Sequence, residues 1–310
     1  MASKIPVVFF GSGPVAADSL ELLLKNFEVI AVITKPKPAH HRGDFPVIDV
    51  AESNKLPLYT VSNKKELSAL IATKPFRTEV AILIDFGIIV SQDVIDYFPR
   101  GIINSHFSLL PEWRGADPIT FAILSGQNQT GVSLMVLVEA MDEGPLISFG
   151  IQELTGTETT PVLTEKLVLL SDALLRDSVR DYLETGKVID QMEVSAQVPG
   201  YPKEPTYSRK LTKDDGLLDF SKPADQLERE IRAYIEWPKS RTSLAGIDVV
   251  ITSSSITDDR GEIGQFTIKD KHLLIHTASG SLRVDTLTPA GKGNMTAEAF
   301  IAGYKQRLTS

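Results

Sequence analysis

The sequence predicts an α/β fold: a doubly wound, mostly parallel sheet, followed by a smaller β-rich unit. Three observations predict it. Near-continuous apolar runs at residues 5–10, 29–33 and 80–84 read as strands buried on both faces. Segments of helical spacing separate them. Beyond residue 206 the apolar runs shorten and turn residues multiply, as in a small barrel.

The elements follow in order. Residues 5–10, Ile-Pro-Val-Val-Phe-Phe, form the first strand, and Gly11-Ser12-Gly13-Pro14 turns into a helix with Leu20, Leu23 and Leu24 on one face. Val29 to Ile33 is the second strand. Residues 49–54 and 64–72 are short amphipathic helices, and 80–84 and 101–104 are further strands. Residues 131–137 and 146–151 are strand-like, with Asp142-Glu143-Gly144-Pro145 between them. A long helix covers 160–183, with Gly186 placed to end it. Residues 187–206 show little periodicity and hold Pro199, Gly200, Pro202 and Pro205, as expected of a linker. The domains predicted are therefore 1–186 and 207–310, joined by 187–206. A helix near 224–235 opens the second, and strands at 249–251, 264–268, 272–277 and 282–287 follow.

Composition narrows the chemistry. The 310 residues are 42% hydrophobic and 23% charged, as in an ordinary globular protein. The absence of cysteine excludes disulfides, thiolate nucleophiles and Cys-based metal sites. No apolar run approaches the roughly 20 residues of a membrane helix, and the opening residues run straight into a strand. The expectation is a cytoplasmic enzyme with no membrane partner, without a metal, and monomeric. The net charge is −8, unevenly spread: residues 207–310 hold 15 Lys and Arg against 14 Asp and Glu, so the acid lies in front. That permits a polyanion on one face without demanding one.

The motif richest in chemistry runs from Asn104 to Asp142. Asn104 and His106 stand two apart at a strand end, so an extended backbone puts amide and imidazole on one face. That end is where such sheets bind ligands. Asp142 could orient the imidazole, with Glu112 and Glu143 as rival carboxylates. The set points to acyl-type transfer. Gly11-x-Gly13-x-x-Ala16 fits a dinucleotide fingerprint weakly, because the second strand ends in Thr34-Lys35-Pro36 and not in the acid that would bind a ribose. A steric turn is the simpler reading. His40 and His41 sit in a basic, Pro-rich loop with no further ligands at metal spacing.

Asn104-x-His106, Ser108-Leu109-Leu110-Pro111-x-x-Arg114-Gly115 and Asp142 resemble the formyltransferases that use 10-formyltetrahydrofolate. Several enzymes share that module. Tyr207-Ser208-Arg209-Lys210-Leu211-Thr212-Lys213, Leu218-Asp219-Phe220 and the run from Leu287 to Met295 resemble the C-terminal domain of the methionyl-tRNA branch. The resemblance implies a Rossmann-like formyltransferase domain and a C-terminal OB-like β-barrel domain. It implies formyl transfer to initiator methionyl-tRNA in support of translation initiation. Asn104, His106 and Asp142 would be catalytic. Ser108, Leu109, Leu110 and Pro111 would bind the folate, with Phe86, Gly87 and Ile88 in a pocket loop. Arg42, Lys210 and Lys292 would contact tRNA.

The chain departs from that pattern at Asp117, where a small residue is usual, at Glu143 and Pro145 beside Asp142, and in a shortened basic loop at 35–46. Two other enzymes remain open: a nucleotide-sugar N-formyltransferase with the same donor, and an NAD-dependent oxidoreductase resting on Gly11, Gly13 and Ala16. A non-catalytic tRNA- or folate-binding protein is the remaining class.

Overall fold

A computed structural model describes residues 3–37, 45–73, 76–197, 200–201 and 204–308. The chain packs as two compact units. One holds Met1–Gly115, Gln129–Glu153 and Thr164–Ser208; the other holds Ala116–Asn128, Leu154–Leu163 and Arg209–Ser310.

In chain order the elements up to residue 208 are β1 (Ile5–Phe10), α1 (Pro14–Asn26), β2 (Phe27–Thr34), α2 (Pro46–Ser53), β3 (Leu58–Thr60), α3 (Lys64–Thr73), β4 (Ala81–Leu83), α4 (Gln92–Asp96), β5 (Ile102–His106), β6 (Arg114–Gly115), α5 (Pro118–Ser125), β7 (Gln129–Val136), β8 (Leu146–Glu153), α6 (Thr160–Thr185), α7 (Gln191–Gln197) and β9 (Tyr207–Ser208). Seven strands form one sheet in the order β3-β2-β1-β4-β5-β7-β8. The first five run parallel; β7 pairs antiparallel with β5, and β8 antiparallel with β7. This is the Rossmann-like arrangement expected. β1 is central and its Val7 to Phe10 are fully buried, which is why the run carries no alternation. Helix α6 stops at Thr185, and the Gly186 N–H bonds to the Tyr182 carbonyl. The 187–206 segment is less plain than its sequence: it contains α7, and Ile189 is bridged to Leu146.

The second unit continues with α8 (Ala224–Ala233), β10 (Ser240–Leu244), β11 (Ile247–Thr257), β12 (Phe266–Lys269), β13 (His272–His276), β14 (Ser281–Pro289), β15 (Met295–Thr296), α9 (Ala297–Gly303) and α10 (Lys305–Leu308). Its six-stranded antiparallel sheet has the order β10-β11-β14-β13-β12, with β15 on β14. Leu227, Ile231, Ile251, Leu273, Leu287 and Phe300 form its core. This is consistent with the expected OB-like domain, although the barrel is not closed: among the described residues β10 and β12 do not pair. Register shifts at Ser253 bend the long strand β11 without bringing those ends together.

Candidate active site

β5 positions the first two candidates. Ser105 faces α6, its hydroxyl 2.7 Å from that of Ser171. Asn104 and His106, each one residue away, therefore face the other side of the sheet. Both are buried. The Asn104 amide, at 8% residue exposure, has no hydrogen-bond partner among the described residues. A buried amide without a protein partner is a donor held for something else.

His106 is held at one nitrogen. Its Nε2 lies 3.0 Å from the Trp113 carbonyl oxygen. A carbonyl only accepts, so Nε2 carries the hydrogen in this arrangement. Nδ1 lies 3.7 Å from Asp142 Oδ1, just beyond a direct hydrogen bond. The other Asp142 oxygen accepts from the Gly115 N–H at 2.7 Å.

Asp142 sits in the left-handed region, φ 54°. Asp tolerates that conformation better than most residues. Gly144 explains the sharpness of the turn, because a Cβ there would lie 1.8 Å from the Val136 carbonyl oxygen. Glu143 points to another partner: it forms a 3.1 Å ion pair with Arg114, whose side chain is 11% exposed. Asp117 is engaged in the second unit, where its carboxylate accepts from the Leu211 N–H at 3.1 Å. Neither acid takes the place of Asp142 beside His106.

The proposed folate residues are not on an open wall. Ser108, Leu109 and Leu110 are fully buried, and the two leucines pack with Met135, Leu146, Val194 and Tyr201. The Leu110–Pro111 peptide is cis. Ser133 pins the loop twice, donating to the Ser108 carbonyl at 2.8 Å and accepting from the Leu110 N–H at 3.0 Å. The Tyr201 hydroxyl donates to the Leu110 carbonyl at 2.8 Å. Burial pushes that phenol far above its ordinary range, so it stays a donor. Residues 108–111 thus shape the site as a rigid body, and a ligand would meet their backbone.

The 85–88 loop is similar. The Phe86 ring is a core residue, edge-on to Phe10 at 5.4 Å, while Ile88 is part-buried against the same cluster. The Ser12 hydroxyl donates to the Phe86 carbonyl, and a Cβ on Gly13 would meet an Asp85 carboxylate oxygen at 1.8 Å. The glycine turn is therefore filled by the protein's own 85–87 loop. Lys210 and Lys292 are exposed, and Lys292 borders a shallow cavity of about 530 Å³ with Arg241, Asp248 and Thr288. Arg42, His40 and His41 lie outside the described residues.

Residues 3–176 match the formyl transferase model, and residues 210–305 match the formyl transferase C-terminal domain. The chain belongs to the formyl transferase family. Membership removes the NAD-dependent oxidoreductase reading, which rested on the glycine turn alone. The methionyl-tRNA formyltransferase of Magnetococcus marinus is 32% identical, covering 96% of this chain and 95% of its own. That of Ectopseudomonas mendocina is 33% identical over 94% and 93%. Among solved structures, an N-formyltransferase from Helicobacter canadensis, in complex with folinic acid and dTDP-3-aminofucose, superposes with a TM-score of 0.66 at 19% identity. It covers 90% of this chain and 98% of its own, which establishes the shared fold.

Sequence reasoning missed the residues that hold the site together. Gln191, inside the expected linker, reaches the Asp142 turn with its side chain. Thr206 hydrogen-bonds Trp113 with its hydroxyl at 2.9 Å and Arg114 with its carbonyl at 2.9 Å. Both lie far along the chain from what they touch. Neither has a local pattern that marks it.

Proposed function

We infer that this chain transfers the formyl group of 10-formyltetrahydrofolate to the amino group of initiator methionyl-tRNA. The observation that carries the chemistry is the end of β5: a buried Asn104 amide without a partner among the described residues, beside a His106 that faces Asp142. Full-length similarity to methionyl-tRNA formyltransferases, in both domains, supports the acceptor.

The amine nitrogen attacks the formyl carbon, and the carbonyl electrons move onto oxygen. Asn104 donates an N–H to that oxyanion, an interaction worth roughly 2.7–4 kcal/mol per donor in other enzymes. His106 adds a second donor once it exchanges the Trp113 carbonyl for substrate; resting sites often tighten in this way. Asp142 stabilises the charged imidazole and takes part in removing the amine proton. Collapse of the intermediate returns the electrons to the C=O bond and expels the folate nitrogen, which takes up a proton. The products are a formamide and tetrahydrofolate, with no change in oxidation state. Arg42, Lys210 and Lys292 are our candidates for tRNA contacts.

The test supplies 10-formyltetrahydrofolate with methionyl-tRNA or with a nucleotide-linked amino sugar. Formylated methionyl-tRNA is the expected product. Formylation of the sugar alone would move this chain to the sugar branch, and no product from either would make it a binding protein.

A further inference from the structure

Gln191 spends its whole side chain on the catalytic turn. It opens α7 directly after Asp190, whose carboxylate caps the helix by accepting from the Met192 N–H at 2.8 Å. Ile189, two residues earlier, is bridged to Leu146. The Gln191 carboxamide therefore lies against residues 141–145, and Gln191 is 3% exposed. Its Nε2 donates to the Asp142 and Gly144 carbonyl oxygens, each at 2.8 Å. Its Oε1 accepts from Arg114 Nη2 at 2.8 Å. Both N–H donors and the carbonyl of the carboxamide are in use.

Arg114 completes the brace by pairing Nη1 with Glu143 at 3.1 Å. Asp142, Glu143 and Gly144 are thus held in succession by two side chains. The next residue along, Gly115, holds the Asp142 carboxylate itself. Register between β7 and β8 is already set by their own ladder, so this brace is not needed to pair the strands. What it does set is the position of a left-handed aspartate whose carboxylate stands 3.7 Å from the catalytic imidazole.

We propose that Gln191, braced by Arg114, is a positioning residue that holds the Asp142 carboxylate at His106. The kinetic part of its test rests on the formyl-transfer reading; a spectroscopic part does not.

Gln191→Met is nearly isosteric and removes all three hydrogen bonds. Gln191→Glu keeps an acceptor for Arg114 but cannot donate to the two carbonyls. Each should lower kcat by about ten- to hundredfold, as small misplacements of catalytic groups do, with KM for both substrates within about threefold. Adding Gln191→Met to Asp142→Asn should change kcat by less than about twofold, because the residue acts through that carboxylate. An equal fold-loss in both backgrounds overturns the proposal.

The second readout is the ring-nitrogen signals of His106, assigned against His106→Gln. In Gln191→Met they should move toward their positions in Asp142→Asn. Signals unmoved by Gln191→Met but moved by Asp142→Asn overturn the proposal. If the unaltered protein formylates no methionyl-tRNA, the functional reading falls while these signals still decide the role of Gln191. Should Gln191→Met fail to fold, Gln191→Glu carries both measurements.

Discussion

Two buried histidines, one in each unit, are held in opposite ways. His276 on β13 is 3% exposed and His106 on β5 is 6% exposed. His276 is saturated. Its Nδ1 is 2.8 Å from the Ser281 hydroxyl, which itself donates to the Asp259 carbonyl, so Nδ1 carries the hydrogen. Its Nε2 accepts from the Thr267 hydroxyl at 3.1 Å. Gly261 lies against the ring, where any Cβ would come within 2.2 Å of it. His106 has one backbone carbonyl and a carboxylate 3.7 Å away. Burial does not distinguish them. The difference is that one ring has every polar need met by short, neutral partners. The other has a carboxylate beside it and, on the same strand face, an amide without a partner among the described residues.

The largest expected effect separates them by substitution. His106→Gln should lower kcat by about 10²- to 10⁴-fold, the range for loss of a general acid–base group, while thermal unfolding stays within a few degrees. His276→Gln should do the reverse. It breaks the ring's hydrogen bonds to the Ser281 and Thr267 hydroxyls, a loss of about 1–3 kcal/mol, with kcat within about threefold. Parallel kinetics and calorimetry on the two variants check this. Comparable kinetic losses would erase the distinction.

Asn104→Ala comes next. Loss of the proposed oxyanion donor should lower kcat by about 10²- to 10³-fold. Because the amide has no protein partner among the described residues, the substitution should scarcely move stability. A large drop in the unfolding midpoint with normal kcat would make Asn104 a structural residue like His276.

Period-two spacing made this face legible in the sequence: Asn104 and His106 share it because a strand alternates, and Ser105 duly turns to Ser171. β1 and α6 were equally plain. Their apolar patterns are long enough to show a period, and α6 ends within two residues of its expected boundary. What escaped depends on partners distant in sequence. β10 reads Ser-Arg-Thr-Ser-Leu, with little apolar alternation, and exists because β11 pairs with it. β6 and β9 are two residues each, and Arg114 finds Tyr207 across 93 positions. Gln191 escaped for the same reason: a carboxamide donating to turn carbonyls has no spacing rule. The open end of the second sheet was also hidden, since strand-like segments do not say whether the last meets the first.

Gly144→Ala is a smaller, mixed effect. The added carbon would collide with the Val136 carbonyl, so the turn must shift and take Asp142 with it. A stability loss of about 1–3 kcal/mol, typical of overpacking, should accompany a fall in kcat. If kcat holds while stability falls, the Asp142 carboxylate tolerates displacement and the contrast between the two units weakens.

The smallest effect compares two carboxylates. Asp142 has one backbone N–H and stands short of His106. Asp215 is enclosed, taking Arg209 Nη1 at 2.9 Å and the Thr212 N–H and hydroxyl at 2.7 and 2.8 Å. The Arg209 guanidinium, first, and then the Thr212 groups hold its carboxyl well below the usual carboxylate range, against the opposing effect of burial. A depressed folded-state value means that its stabilisation is complete above the unfolded value of about 4. It is lost as pH falls through the folded one. Asp215→Asn should therefore destabilise by about 1 kcal/mol near pH 7, the scale of a lost helix cap, with kcat unchanged. In urea titrations the gap between variant and parent should stay constant from pH 7 to about 5 and narrow below about 4. A gap that widened in acid would reverse the sign and remove Asp215 as the paired counterpart of Asp142.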